Sequence, residues 1–288
     1  MAARGFQRIE IASFGAYCFH FNFGSPTPVE LKRMLNRLDL QPICLNYDTG
    51  IYEAWIPEER TRFVNAWKRK LVQLGEVGIP MMTMDFGVRN DRPDQDRQLG
   101  VAVKTYDQVG KMAAKYGVRM LLELPHLYGI MPGTPQVLWM LRRLESNNIG
   151  LLIDSSHWGI IGYDLDAFVA EVGDRLWHVH LRDSNGPDTA DFKQQLELTP
   201  GDGTVDFQKF ARTLDRIGYQ GDVTLDFEYR DMTLDDIEKE YDKGLRYLEE
   251  VGWELPAGVT TGVRARAGLS LPASNSGFRI DHGQISSP

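Results

Sequence analysis

An α/β barrel of parallel strands is the fold this sequence predicts, and three observations predict it. Seven apolar runs recur along the 288 residues, beginning 27 to 47 residues apart and each followed by a polar, helix-like stretch, so one strand–helix unit fits each interval. Several runs are apolar without alternation, as strands buried on both faces must be, which puts helices on each side of the sheet. No G-x-G-x-x-G follows an early run, so an open dinucleotide-binding sheet has no support. Evenly spaced units favour closure into a TIM-type (β/α) barrel, with seven of its eight strands visible in this chain.

The elements can be justified in order. Arg8–Ala12 is the first run, and Phe14–Phe23 after it carries four phenylalanines with Tyr17, His20 and Asn22. Such a loop either packs on its neighbours or stacks on a ligand ring at the barrel mouth. Pro42–Asn46 follows, then a helix that Pro57-Glu58-Glu59 opens and Gly75 or Gly78 closes. Pro80–Met84, Val118–Glu123, Ile149–Asp154 and Leu176–Leu181 are the next four runs. Gly201-Asp202-Gly203 reads as a turn before a helix at Val205–Ile217. Val223–Glu228 is the last run, and Asp235-Asp236 opens a helix that reaches about Val251, with Gly252 just past its end. Residues 255–288 are rich in Gly, Ser, Thr, Ala and Pro without a period, which predicts a flexible tail behind a barrel domain of residues 1–254.

Composition narrows the setting. The chain is 42% hydrophobic and 25% charged, a globular balance. No apolar run approaches the roughly 20 residues of a membrane helix, and no signal segment opens the chain, so a cytoplasmic protein is expected. A net charge of −8 opposes a nucleic-acid partner. Cys18 and Cys44 are too few for a disulfide framework.

Four residues then stand at or near the carboxyl ends of consecutive runs: Glu123, Asp154, His180 and Glu228. In a parallel barrel those ends open on one face, the face that carries active sites. Singly, each reads as a helix cap or an ion-pair partner. Together, three carboxylates and an imidazole would repel one another unless a cation sat between them. Oxygen-dominated ligation suits one divalent ion, Mn²⁺ foremost, with Mg²⁺ or Co²⁺ as the other choices. His157 faces the same ion, holds substrate or caps. Trp158 floors a sugar pocket or packs. His126 and Tyr128 reach substrate from the next loop or stay on the surface, and Glu10 faces the barrel interior or forms a salt bridge. Strand alternation puts His178 one layer below His180 and Asp226 one layer below Glu228, which predicts a His178–Asp226 hydrogen bond beneath the ion.

The segments Asp154–Asp164 (DSSHWGIIGYD), His178–Ser184 (HVHLRDS), Pro200–Phe207 (PGDGTVDF) and Gly218–Glu228 resemble the xylose-isomerase-like barrels, over most of residues 5–256. That group includes ketose 3-epimerases, inosose and 3-dehydroshikimate dehydratases, C-glycoside-cleaving subunits and endonuclease IV. The resemblance implies that Glu123, Asp154, His180 and Glu228 hold one divalent metal and that the two glutamates form the acid/base pair. Two departures matter. Phe192–Glu197 lacks the Asp-x-His pair of endonuclease IV, and Gly186 stands where ketose 3-epimerases carry an arginine, for which Arg182 is a partial substitute.

The expected function is a metal-dependent isomerase or epimerase acting on a small-molecule sugar or keto-polyol. Glu123, Glu228 and His157 are the catalytic candidates, and Arg182, His126, Trp158 and His20 the substrate-binding ones. A lyase on the same scaffold is the runner-up, and a catalytically silent sugar-binding or scaffold barrel the alternative of another class. Ala2–Phe6 reads as the end of a helix feeding the family's second strand. The sequence therefore predicts seven barrel strands and a gap, with association into a homo-oligomer or with a partner subunit.

Overall fold

In the computed structural model, the described residues are 1–14, 18–48, 56–84, 95–126, 129, 131–162, 164–186, 198–227, 229, 232–255 and 259, with backbone alone for 14, 18, 19, 48, 95 and 96. Glu228, Tyr128, the Phe192–Glu197 segment and nearly all of the 255–288 tail lie outside them. Seven parallel strands form a nearly closed barrel: β1 (Arg8–Phe14), β3 (Gln41–Asp48), β4 (Met81–Thr83), β5 (Arg119–Glu123), β6 (Ile149–Asp154), β7 (Leu176–Leu181) and β8 (Asp222–Leu225). A two-residue strand, β2 (Cys18–Phe19), turns back antiparallel onto the carboxyl end of β1. A parallel crossover needs a dozen or more residues, but an antiparallel return needs only a turn.

Among the described residues no ladder joins β1 to β8. Side chains bridge that seam instead. The Arg8 guanidinium donates from Nε and Nη2 to the two Asp222 oxygens, each at 2.6 Å. Buried Arg4, ahead of β1, pairs with Asp242 and Glu238.

Helices α1 (Pro28–Leu38), α2 (Arg60–Val77), α3 (Gln95–Ala113), α4 (Thr134–Leu141), α5 (Ser155–Ile161), α6 (Leu165–Val172), α7 (Phe207–Arg216) and α8 (Leu234–Glu250) connect or follow the strands. Their ends follow local chemistry. Thr27 and Glu30 form a reciprocal capping box with Pro28 in the first turn of α1. Gly78, at φ 91°, closes α2 in the left-handed conformation that L side chains avoid. Thr233 caps α8 by accepting from the Asp236 amide.

Strand β6 is buried along its whole length, as its unbroken apolar run requires. Gly150 in it is obligatory: a Cβ there would lie 2.2 Å from the Trp177 ring on neighbouring β7. Gly150→Ala is expected to cost about 1–3 kcal/mol by overpacking, read as a fall in the urea midpoint. An unchanged midpoint would mean that Trp177 moves freely.

The last predicted run is corrected by the structure. The ladder of β8 ends at Leu225; beyond it Phe227 stacks on Tyr229 and meets Tyr241 edge-on, so its apolar character serves a satellite cluster. No helix among the described residues is long and apolar enough to cross a membrane.

Candidate active site at the carboxyl ends of the strands

Parallel strands deliver their last side chains to one rim, and β5, β6 and β7 do so here. Glu123 closes β5 with its side chain 16% exposed, and Oε1 lies 3.4 Å from Nε2 of His157. Asp154 closes β6 and caps α5. Its Oδ1 accepts from the Ser156 amide at 2.7 Å and from the Ser156 hydroxyl at 2.6 Å, and its Oδ2 accepts from Nη2 of Arg182 at 2.8 Å. Burial opposes the Asp154 charge, but Arg182, His157, His180 and Ser156 together hold its pKa below the ordinary carboxylate value. His157, in the first turn of α5, is buried against His126, the ring centroids 4.0 Å apart. Burial, then the neighbouring His157 and Arg182, push the His126 pKa well below its usual value and keep that ring neutral at pH 7.

His180 on β7 is fully buried between two carboxylates. Its Nε2 lies 3.0 and 3.2 Å from the Glu10 oxygens, and its Nδ1 lies 3.5 Å from Oδ2 of Asp226. Candidate ligand atoms therefore gather in three sets, each within 4.8 Å: Glu123, Asp154 and His157; Asp154, His180 and Asp226; and Glu10, His178 and His180. Asp154 joins the first two sets. Two internal features fit a divalent cation there. The Nδ1 atoms of His157 and His180 are buried without a hydrogen-bond partner. The oxygen-rich donor set is also that of a hard or borderline divalent ion. Residues Glu123, Asp154, His157, His180 and Asp226 are thus the described groups able to hold it.

One expectation is corrected. The predicted His178–Asp226 bond does not form, because the register pairs His178 with Asp222 and His180 with Thr224, so Asp226 stands above His180 rather than beside His178. His178 bonds Glu10 at 2.8 Å and faces the Thr224 hydroxyl at 3.2 Å instead. Trp158 follows one residue past His157, where the helix has turned about 100°, and its ring packs against Phe168 of α6, 7% exposed. Arg182 lies among the carboxylates. It is buried, bonded to Asp154 and to the Ser156 hydroxyl at 3.2 Å, and 3.6 Å from Asp226, so it braces the carboxylates.

His20 stands just past β2, where its Nδ1 accepts from the Ala12 amide at 3.1 Å, and it belongs to none of the three ligand sets. Glu10 does face the barrel interior, and its double contact with His178 and His180 escaped sequence reasoning; its alternation in β1 was the only signal. Asp183 escaped as well. Buried just past β7, it accepts from the amides of Ser184, Gly201, Gly203 and Val205 and so folds the Gly201–Gly203 turn.

The Glu10–His180 pair predicts the pH response of the metal-free protein. Burial raises the Glu10 pKa, but His180 and His178 outweigh it and hold the acid well below its ordinary 4.5. Burial likewise lowers that of His180, but Glu10 and Asp226 raise it well above 6.5. The Glu10 contribution is present above pH 4.5 and lost as pH falls through its depressed folded value. That of His180 is present below pH 6.5 and lost as pH rises through its raised one. Urea midpoints should therefore be highest between about pH 4.5 and 6.5 and fall on both flanks, and Glu10→Gln should flatten the acid flank. An acid flank unchanged in that variant would contradict the pairing.

A family model described as xylose isomerase-like TIM barrel matches residues 1–251. The chain belongs to that family. This xylose isomerase-like barrel is 27% identical over 222 residues to an inosose dehydratase of Erwinia tasmaniensis, covering 70% of this chain and 74% of that one. It is 25% identical over 229 residues to a 3-dehydroshikimate dehydratase of Pseudomonas aeruginosa, covering 78% of this chain but spanning only 34% of that enzyme. It is 29% identical over 127 residues to an uncharacterized protein of Methanocaldococcus jannaschii, covering 42% of this chain and 41% of the relative. The fold of this xylose isomerase-like barrel is shared with the D-psicose 3-epimerase of Clostridium cellulolyticum H10, at a TM-score of 0.67 and 17% identity, over 87% of this chain and 90% of that one. Sequence relatives and structural neighbours of the barrel thus include both dehydratases and epimerases.

Proposed function

We propose that the protein is a divalent-metal-dependent isomerase or epimerase that removes the proton next to the carbonyl of a sugar or keto-polyol. The observation that carries this reading is the convergence of Glu123, Asp154, His157, His180 and Asp226 at the carboxyl rim, with Asp154 common to two ligand sets. A divalent ion bound there, Mn²⁺ by preference, supplies Lewis-acid stabilisation of the negative charge that develops on the substrate oxygen.

The chain's own residues do the rest. Asp154, His180 and Asp226 serve as ligands, and Arg182 holds the two aspartates in place. Glu123, part-exposed at the rim, accepts the proton as the C–H electron pair moves toward the carbonyl. His157, 3.4 Å from that carboxylate, passes the proton on or steadies its charge. Neutral His126 packs against His157 without adding a competing charge. Glu228, two residues beyond Asp226, is assigned the return of a proton, to the opposite face for epimerisation or to the adjacent carbon for isomerisation.

A lyase is the second reading, and the dehydratase names of the sequence relatives favour it. The same proton leaves, and then a β-substituent departs with its electron pair. Incubation in D₂O with free ketoses, inososes and 3-keto-glycosides separates the two. Deuterium in a product with its carbon skeleton and oxygens intact supports isomerisation or epimerisation. Released water or aglycone supports the lyase. No product and no uptake of Mn²⁺ would overturn both and leave a silent binding barrel.

A further inference from the structure

We propose that Glu10 is a positioning residue: by holding the Nε2–H groups of His180 and His178 on one carboxylate, it leaves Nδ1 of His180 as the nitrogen that ligates the cation beside Asp226 and Asp154. This inference rests on the metal reading of the rim and deepens it. Glu10 shares no ligand set with Asp154 among the described residues, so it acts through the imidazole.

A carboxylate only accepts, so each imidazole nitrogen facing it, at 2.8 Å from His178 and 3.0 Å from His180, must carry a proton. A neutral imidazole has one N–H. A cation that takes the place of the second ring proton leaves the remaining one committed to Glu10 at Nε2 and meets a bare Nδ1, the form in which histidine binds metals. The geometry agrees. Nδ1 of His180 has no hydrogen-bond partner, is fully enclosed, and points toward Asp226 at 3.5 Å. Burial and the nearby Glu10 carboxylate keep the Cys44 thiol protonated beside this pair. A carboxylate behind a ligating imidazole fixes its tautomer and orientation and strengthens it as a donor. The placement in the fold is also telling. Glu10 comes from β1, which shares no ladder with β8, so its two bonds to β7 tie that open seam from inside at the same height as the histidines they orient.

The test uses the full chain with ¹⁵N-labelled histidine and long-range ¹H–¹⁵N correlation spectra. They are recorded with diamagnetic Zn²⁺ bound and, metal-free, at a pH where the rings are neutral. The expected result is an Nε2–H tautomer for both His178 and His180, with Zn²⁺ shifting only Nδ1 of His180. In Glu10→Gln the amide oxygen can take one N–H, but its NH₂ requires a bare nitrogen from the other ring. One ring should therefore move its proton to Nδ1, and Mn²⁺ affinity should fall about tenfold to a hundredfold. A variant that fails to fold loses spectral dispersion instead of swapping a tautomer, and the parent spectra then decide. Nδ1–H on His180 in a parent that binds Zn²⁺ overturns the Glu10 assignment alone. Unchanged tautomers and Mn²⁺ affinity in Glu10→Gln do the same. Nε2–H on both rings in a parent that takes up neither Zn²⁺ nor Mn²⁺ overturns the metal reading itself.

Discussion

Replacing Glu123 with glutamine is expected to cut turnover by about 10²- to 10⁴-fold, the contribution of a positioned acid or base, while the fold stays intact. The amide fills the same space at the end of β5 and can still meet His157, but it cannot take a proton from carbon. Its side chain is 16% exposed at the rim, so no buried charge pair is broken by the change. Steady-state rates and exchange of the substrate's α-proton into D₂O should fall together, because both depend on the same transfer. Turnover within a few-fold of the parent would remove Glu123 from the chemistry. Under the same proposal Glu228→Gln should show a comparable loss.

Asp154→Asn is expected to do more, because Asp154 belongs to both rim sets and neutralises Arg182. Asparagine still caps α5, so the start of that helix is kept. The buried Arg182 guanidinium, however, loses the carboxylate that accepts from it at 2.8 Å. Breaking one partner of a buried pair costs about 3–5 kcal/mol. The variant should therefore melt earlier, bind Mn²⁺ more weakly and regain part of its activity in excess Mn²⁺. An unchanged metal requirement would exclude Asp154 as a ligand.

Where the sequence was legible, the reason is physical. Ile149–Asp154 and Leu176–Leu181 have the same bounds in the sequence reading and in the structure; the first is a nearly unbroken apolar run, as a strand buried on both faces leaves, and the second is bounded by leucines at both ends. Glu123, Asp154, His157 and His180 could be named because a parallel barrel brings successive strand ends to one rim, so chain order alone gathers them. What stayed hidden depends on register or on pairs distant in sequence. The offset between β7 and β8 moves Asp226 away from His178 and up to His180, and no local pattern encodes that offset. The contacts of Glu10 with His178 and His180 join residues 168 and 170 positions apart in the chain. Whether Trp158 shares the direction of His157 depends on the turn of about 100° that one residue makes on a helix, which adjacency in the chain does not show. The clasp of Arg182 on Asp154 joins residues 28 apart and has no local signal either.

The most direct test of the central claim is the anomalous difference map of crystals of the full chain grown with Mn²⁺. The reading advanced above predicts one strong peak at the carboxyl rim, bonded to Asp154 and to Nδ1 of His180, with the Arg182 guanidinium alongside. A map with no peak there, or with manganese only on surface carboxylates away from Asp154, would contradict it.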